Sequence, residues 1–274
     1  MIKMDGNELI GNLKNGKRIY GTAILCNSPL WPGAVKATGI DFVFLDTEHV
    51  PLGRETLAHM CQIYKAIGLP PLVRIPSPDP YQACMALDGG AVGILAPYIE
   101  SAEQVENLVG ATKLRPLKGK KLKSLLAESA KMNKVLRNYI EGRNKNNILL
   151  INVESVPALE NLDNLLAVRG LDGVIIGPHD LSCSLDIPEE YQNPVFEKAV
   201  RTIIEKTRSH DLPVGIHLSE GPELQINWVK AGVNIILHSS DISLFAGALK
   251  RDISIIREAL GEDPASSAYR KTVI

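Results

Sequence analysis

The chain is poor in cysteine, in net charge and in long apolar runs, and each shortage closes off a class of function. Its four cysteines, Cys26, Cys61, Cys84 and Cys183, have neither the close pairing of a zinc site nor the density of a disulfide scaffold. They read as reduced, small apolar residues of a cytoplasmic protein, with Cys26 and Cys183 near enough to strand ends to stand at the mouth of a site. The formal net charge is -1, with 30 Lys+Arg against 31 Asp+Glu, so nothing favours a nucleic-acid or membrane partner. Met1 to Glu8 lack the apolar centre of a signal peptide, and no run reaches membrane-spanning length. The first strand-like run leads into Cys26-Asn27-Ser28-Pro29 without a G-x-G-x-x-G, which counts against a dinucleotide-binding open sheet. These absences leave the expectation of a soluble, cytoplasmic protein.

Against those absences stands a repeating pattern. Apolar, strand-like runs lie around 18–26, 41–46, 71–75, 92–96, 148–153, 173–176, 213–217 and 234–238, and segments with helical spacing, such as 57–64 and 195–204, lie between them. Eight strands alternating with helices, in a chain near the ~250 residues usual for the fold, predict one α/β domain over 1–274, a (β/α)8 TIM barrel. One connection is unusual. From about 112 to 147 the chain is rich in lysine and arginine, read either as a solvated face or as a loop over the barrel mouth that helps hold an anion. The segment from about 241 to 260 is amphipathic with a wide apolar face, suited to closing the barrel or packing on a neighbouring subunit. The polar tail after Gly261 is expected to be loosely held.

The polar residues at the far ends of these runs carry the functional signal. Asp41-Phe42-Val43-Phe44-Leu45 leads into Asp46, Glu48 and His49; Pro71-Leu72-Val73 ends at Arg74; Ile148 to Val153 ends at Glu154; and Gly173 to His179 ends at Asp180. Isolated charges at the end of a core strand are costly unless they pair or bind a metal, so they read as one site built from several strands. Glu154 and Asp180 are hard oxygen donors with no nearby Cys or paired His, which suits Mg²⁺ or Mn²⁺ with several waters retained. Such an ion could chelate a 2-oxo acid, with Arg74 adding positive charge at the oxygen that becomes an enolate. His49, oriented by Asp46, is the expected proton carrier, acting directly or through a water positioned by Glu48. Each residue also has a plain structural role open to it, as a helix cap, an ion-pair partner or a core hydrogen bond.

In order along the chain, Leu45-Asp46-Thr47-Glu48-His49, Val73-Arg74-Ile75-Pro76, Leu87-Asp88-Gly89-Gly90-Ala91 with Gly93 and Pro97 following, Asn152-Val153-Glu154-Ser155, and Asp172 through Ser182 resemble the HpcH/HpaI class II aldolases. The resemblance runs from about Gly21 to Ile253. It implies a metal-dependent enzyme that cleaves a 4-hydroxy-2-oxo acid to pyruvate, or a related 2-oxo acid, and an aldehyde. It puts the metal (Mg²⁺, Mn²⁺ or Co²⁺) on Glu154 and Asp180, the enolate-stabilising arginine on Arg74, and the base-and-water network on His49, Asp46 and Glu48. It also implies that amides of the Gly177 to Asp180 turn hold the substrate carboxylate, that Asp88 acts at a site edge shared between subunits, and that the last helices of a trimer or hexamer cross to a neighbour. Three departures bear on the substrate. Asn152 replaces a frequent Gln, His179 stands where a small residue is frequent, and Arg115 to Lys121 replaces a Gly-Arg-Gly-like stretch. Two other readings stay open: a lyase for acyl-CoA thioesters on the same barrel, and a 2-oxo-acid-binding protein that has lost catalysis.

Overall fold

The computed structural model describes residues 5–128 and 130–262. The strands are β1 (Ile19–Ile24), β2 (Phe42–Asp46), β3 (Pro71–Arg74), β4 (Gly93–Ala96), β5 (Ile148–Val153), β6 (Gly173–Ile176), β7 (Val214–Leu218) and β8 (Ile235–Ser240). They pair in chain order, all parallel, and β8 closes on β1. The expected (β/α)8 barrel is therefore the fold, with strand ends displaced from expectation by one or two residues.

The strands read as unbroken apolar runs because both of their faces are buried. Alternate residues divide them. Phe42, Phe44, Leu72, Leu150, Ile175, Ile235 and Leu237 fill the barrel interior, whereas Val43, Leu45, Val73, Ile151, Val174 and Ile176 join the layer between strands and helices. The helix Gly6–Lys14, held at its start by an Asp5–Glu8 capping box, adds Leu9 and Leu13 to the interior cluster and plugs the N-terminal end. Small residues leave room for large ones in that interior: a Cβ on Gly215 would lie 2.4 Å from the Ile175 side chain and 2.9 Å from the Ile235 carbonyl oxygen.

Continuing the interior parity toward the C-terminal ends gives Asp46 after Phe44, Arg74 after Leu72, Asn152 after Leu150 and His217 after Gly215. The change from apolar to polar thus occurs at one level of the barrel. It opens into a cleft of about 1520 Å³ walled in part by His49, Arg74, Asn152, Asp180 and His217.

The basic segment does not cover this cleft. It forms the helices Gly119–Leu126 and Lys134–Asn144 on the barrel's flank, and none of the described residues between 112 and 147 lines this chain's cleft. The helix Asp241–Ala259 instead leans over the mouth, lining the cleft between Ser243 and Arg257 while much of its apolar surface stays open to solvent. The tail expected to be loosely held lies from 263 outside the described residues. No helix among the described residues is long and apolar enough to cross a membrane.

Candidate active site

The centre of the site is a clamped arginine. The β2–β3 register sets Asp46 beside Arg74, and the two side chains form a bidentate pair, Nε to Oδ1 at 2.8 Å and Nη2 to Oδ2 at 2.7 Å. Glu48 Oε2 stands 3.1 Å from the same Nε, whose one hydrogen is already given to Asp46, so Glu48 adds charge rather than a second bond. Arg74 Nη1 has no hydrogen bond to protein among the described residues and is the edge left for a ligand. Burial opposes the charge on both partners. Their mutual pairing outweighs it, holding the Asp46 carboxyl below the usual range and the guanidinium above its own. Arg74 also stands over the Phe44 ring, 5.5 Å from its centroid.

This pairing corrects the expectation that Asp46 orients the His49 imidazole. The hydrogen bonds of Asp46 in this turn are to backbone alone, from the amides of Glu48 (3.0 Å) and His49 (3.4 Å), and they shape the turn after β2. The acid beside the imidazole is Glu48, with its Oε2 3.8 Å from His49 Nε2. The cause is the β2–β3 register, which puts a buried cation directly beside Asp46.

Across the mouth, Glu154 is 6% exposed and has both oxygens engaged, Oε1 by the Tyr98 amide and Oε2 by Asn152 Nδ2, each at 2.7 Å. Burial first, and then the charges of Asp180 and Glu48, push its carboxyl up to about 7 against the pull of those two donors. A buried carboxylate facing other carboxylates is short of positive charge, and the oxygen-only donor set is that of a hard divalent cation. No three His, Cys, Asp or Glu side chains among the described residues converge as a metal cage. Glu154 and Asp180 could hold such an ion only at an open site, with the remaining positions left to water and substrate.

Gly177 serves this site by being small, since a Cβ there would stand 2.8 Å from Glu154 Oε2. Its amide is given to the Val153 carbonyl (3.3 Å), so it is not a free donor for a substrate carboxylate; the amides of His179 and Asp180 are what that turn retains. His179 lines the cleft, its Nδ1 3.7 Å from Glu189 Oε1. Asp88 is corrected. It lies in the last turn of the helix Pro80–Gly89, toward the opposite end of the barrel, where it is exposed and paired with Arg115. The chain's own Asp88 does not reach its own site. Neither Cys26 nor Cys183 lines the cleft.

Two further residues at the site carry little signal in the sequence. Tyr98 adopts a left-handed conformation (φ 54°), which turns its amide onto Glu154 while its hydroxyl bonds Glu48; that bond, with nearby carboxylate charge, pushes the phenol up to about 12. Nothing in Ala96-Pro97-Tyr98 signals such a turn. His217 was within reach, because it is the interior-facing residue of β7 nearest the mouth, but its run Val214-Gly215-Ile216-His217-Leu218 contains no carboxylate to draw attention.

A parallel barrel with a buried arginine and two metal-suited carboxylates at its C-terminal mouth has the layout of an enzyme's active site. The family model described as HpcH/HpaI aldolase/citrate lyase matches residues 24–246, and the chain belongs to this family. It is similar to the 2-keto-3-deoxy-L-rhamnonate aldolase of Salmonella gallinarum, 30% identical over 268 residues, covering 96% of this chain and 100% of that protein. Among solved structures it resembles the HpcH/HpaI aldolase from Desulfitobacterium hafniense DCB-2 (26% identity, TM-score 0.79, 91% and 96% of the two chains). It also resembles citrate synthase SbnG (27% identity, TM-score 0.79, 93% and 99%). The protein is thus an enzyme of the aldolase and lyase type.

Proposed function

We propose that the chain cleaves a 4-hydroxy-2-oxo acid between C3 and C4, releasing pyruvate and an aldehyde, with a divalent cation held by Glu154 and Asp180. The observation that carries this reading is the clamped Arg74, with a free edge, across the mouth from two carboxylates short of a counter-charge. When bound, Mg²⁺, Mn²⁺ or Co²⁺ supplies positive charge at the 2-oxo group.

The chain's own residues do the rest. His49 accepts the proton of the 4-hydroxyl, and Glu48 beside it stabilises the imidazolium that results. The C3–C4 bond then breaks, its electron pair moves toward the C2 oxygen as the aldehyde forms, and Arg74 Nη1 meets the charge on that oxygen. The His49 imidazolium then returns its proton to C3, directly or through a water, which completes the methyl group of pyruvate. Asp46 keeps Arg74 from turning away, and Tyr98 and Asn152 keep Glu154 in place. The 2-keto-3-deoxy acid named for the Salmonella relative belongs to this substrate class, and a sugar acid of that type is the proposed substrate.

The test is deuterium exchange at the methyl of pyruvate, which needs no knowledge of the aldehyde. Exchange is expected with Mg²⁺, Mn²⁺ or Co²⁺ and is expected to stop with EDTA; metal and pyruvate binding without exchange would mark a binder that has lost catalysis. His49→Ala is expected to slow exchange by roughly a hundredfold or more, the usual worth of a positioned acid–base group, with the metal affinity kept. Undiminished exchange would remove His49 from the mechanism.

Assembly follows from the helix Asp241–Ala259. Phe245, Leu249 and Ile256 are 60%, 50% and 53% exposed, large apolar side chains left open to solvent along this helix. We propose a homotrimer or hexamer in which this helix packs on a neighbour, an arrangement that also allows a neighbour's Asp88 to approach the site. Light scattering at micromolar concentration is expected to give one of these masses, and Phe245→Glu to lower it. A monomeric parent protein would overturn the proposal.

A further inference from the structure

The β7–β8 side of the cleft holds a group that the cleavage chemistry does not use. His217 packs its ring edge-on to Phe44, with centroids 5.6 Å apart and planes at 63°, on the same phenyl ring that Arg74 covers. Its Nε2 lies 3.2 Å from the carbonyl oxygen of Ser239. That oxygen is presented by an irregularity in β8: Ser239 takes a left-handed φ of 51°, and the β1–β8 register shifts between Gly21 and Ala23, where Thr22 Oγ1 bonds the His238 carbonyl. A non-glycine residue held in that conformation at a site edge is strain that the surrounding structure maintains.

The partner fixes the tautomer. A carbonyl oxygen only accepts, so Nε2 must carry the hydrogen and Nδ1 must present its lone pair. Nδ1 has no hydrogen bond to protein among the described residues, and His217 lines the cleft. Burial, and then the positive charge of Arg74, pushes the imidazolium down to about 4, with Ser239 and Asp46 pulling the other way and His238 adding to the fall. The ring is neutral in the working range, so Nδ1 stays an acceptor.

An acceptor of this kind discriminates between the two halves of the substrate. The carboxylate and keto oxygens of the pyruvate half carry no hydrogen, so they cannot satisfy Nδ1. The aldehyde half of a sugar acid carries hydroxyls that can. The cleft also continues from Arg74 along the ends of β7 and β8, past Ser219 and Ser243, into the space left once pyruvate is held. We infer that His217 Nδ1 accepts a hydrogen bond from a hydroxyl on the aldehyde half, making His217 the residue that selects hydroxyaldehydes over their deoxy counterparts. This inference rests on the aldolase reading above and names the substrate class within it.

The experiment compares L-lactaldehyde with propionaldehyde, which differ by one hydroxyl, in condensation with pyruvate. The parent enzyme is expected to favour lactaldehyde in kcat/KM. His217→Phe keeps a ring against Phe44 and removes the acceptor, and is expected to reduce that preference about tenfold, chiefly through the KM of the aldehyde. His217→Gln, whose amide reaches the Nε2 position and leaves the Nδ1 position empty, is expected to lose it too and carries the test if the Phe variant does not fold. His217→Asn puts an oxygen where Nδ1 was and is expected to retain part of it. Equal losses for the two aldehydes, or an unchanged preference in the Phe and Gln variants, would overturn the inference while leaving the aldolase reading intact. A parent without pyruvate exchange or condensation would overturn both.

Discussion

Arg74→Lys is expected to slow turnover by roughly a hundredfold or more, with far less effect on metal affinity. A lysine ammonium is a point charge on a flexible stem, unable to bind Asp46 in a bidentate way and offer a third, planar edge to a ligand. In the parent, two guanidinium nitrogens are fixed on Asp46 and Nη1 is aimed by that fixation. With lysine, the ammonium must choose between the 0%-exposed Asp46 and the substrate oxygen. Arg74→Met removes the choice and leaves Asp46 buried without its partner, which is expected to cost about 3–5 kcal/mol of stability. The pH dependence separates the electrostatic effect from loss of packing. Because pairing lowers the Asp46 pKa in the folded state, the stability it contributes is complete above the ordinary carboxylate range and is lost as pH falls through the lowered value. Thermal melts from pH 7 downward are thus expected to converge for parent and Arg74→Met in acid. A constant difference at every pH, or an Arg74→Lys enzyme with near-normal turnover, would show the arginine to be a packing element only.

The barrel was legible because its strands are buried on both faces and so appear as uninterrupted apolar runs, each closed by a helix-length segment. The site was legible for the same reason: Asp46, Arg74, Glu154 and Asp180 interrupt runs that packing alone would have continued. Which residue answers which was not legible. Inter-strand register put Asp46 on Arg74 instead of His49, and register depends on strand lengths and barrel closure rather than on the local motif. Asp88 sits in a short motif that names no direction, and only the course of the helix Pro80–Gly89 shows that it points to the opposite end.

A strand-end carboxylate is not diagnostic by itself. Asp241 follows β8 and is 5% exposed, yet it is consumed by the amides of Leu25, Cys26 and Ile242, tying β1 to β8. Asp172, before β6, takes Lys113 and the Leu149 amide. What distinguishes Glu154 is that its two donors leave it facing other carboxylates, a property of three dimensions that no spacing rule contains. His217 marks the reverse case, since strand parity alone would have placed it in the interior had histidine been weighed without a carboxylate beside it.

That distinction makes Glu154→Gln the sharpest test of the metal site, because stability and metal response are expected to move in opposite directions. Glutamine can keep Oε1 on the Tyr98 amide, and Asn152 can turn its amide to offer Oδ1, an atom with no hydrogen-bond partner among the described residues, to the new Nε2–H group. The hydrogen bonds survive and the buried negative charge does not. With the Glu154 pKa raised to about 7 from 4.5, the metal-free parent is favoured by this group below the lower value and loses that contribution as pH rises through about 7. The burden in the ionised form is on the order of 3 kcal/mol, and Glu154→Gln is expected to melt higher than the parent at pH 8 and close to it at pH 5 without metal. Added Mg²⁺ or Mn²⁺ is expected to raise the parent's Tm, more so at pH 8 than at pH 6, since the cation and the proton compete for the same carboxylate. In Glu154→Gln that rise and the metal-dependent exchange of pyruvate are expected to vanish, because a neutral amide replaces one of the two anionic ligands, a larger loss than the roughly ten- to hundredfold typical of an outer-shell change. Glu154→Ala strands the Tyr98 amide and Asn152 without an acceptor and is expected to be less stable than Glu154→Gln at every pH. If Glu154→Gln keeps a parent-like Tm response to metal, the cation is held elsewhere and the raised pKa reflects burial alone.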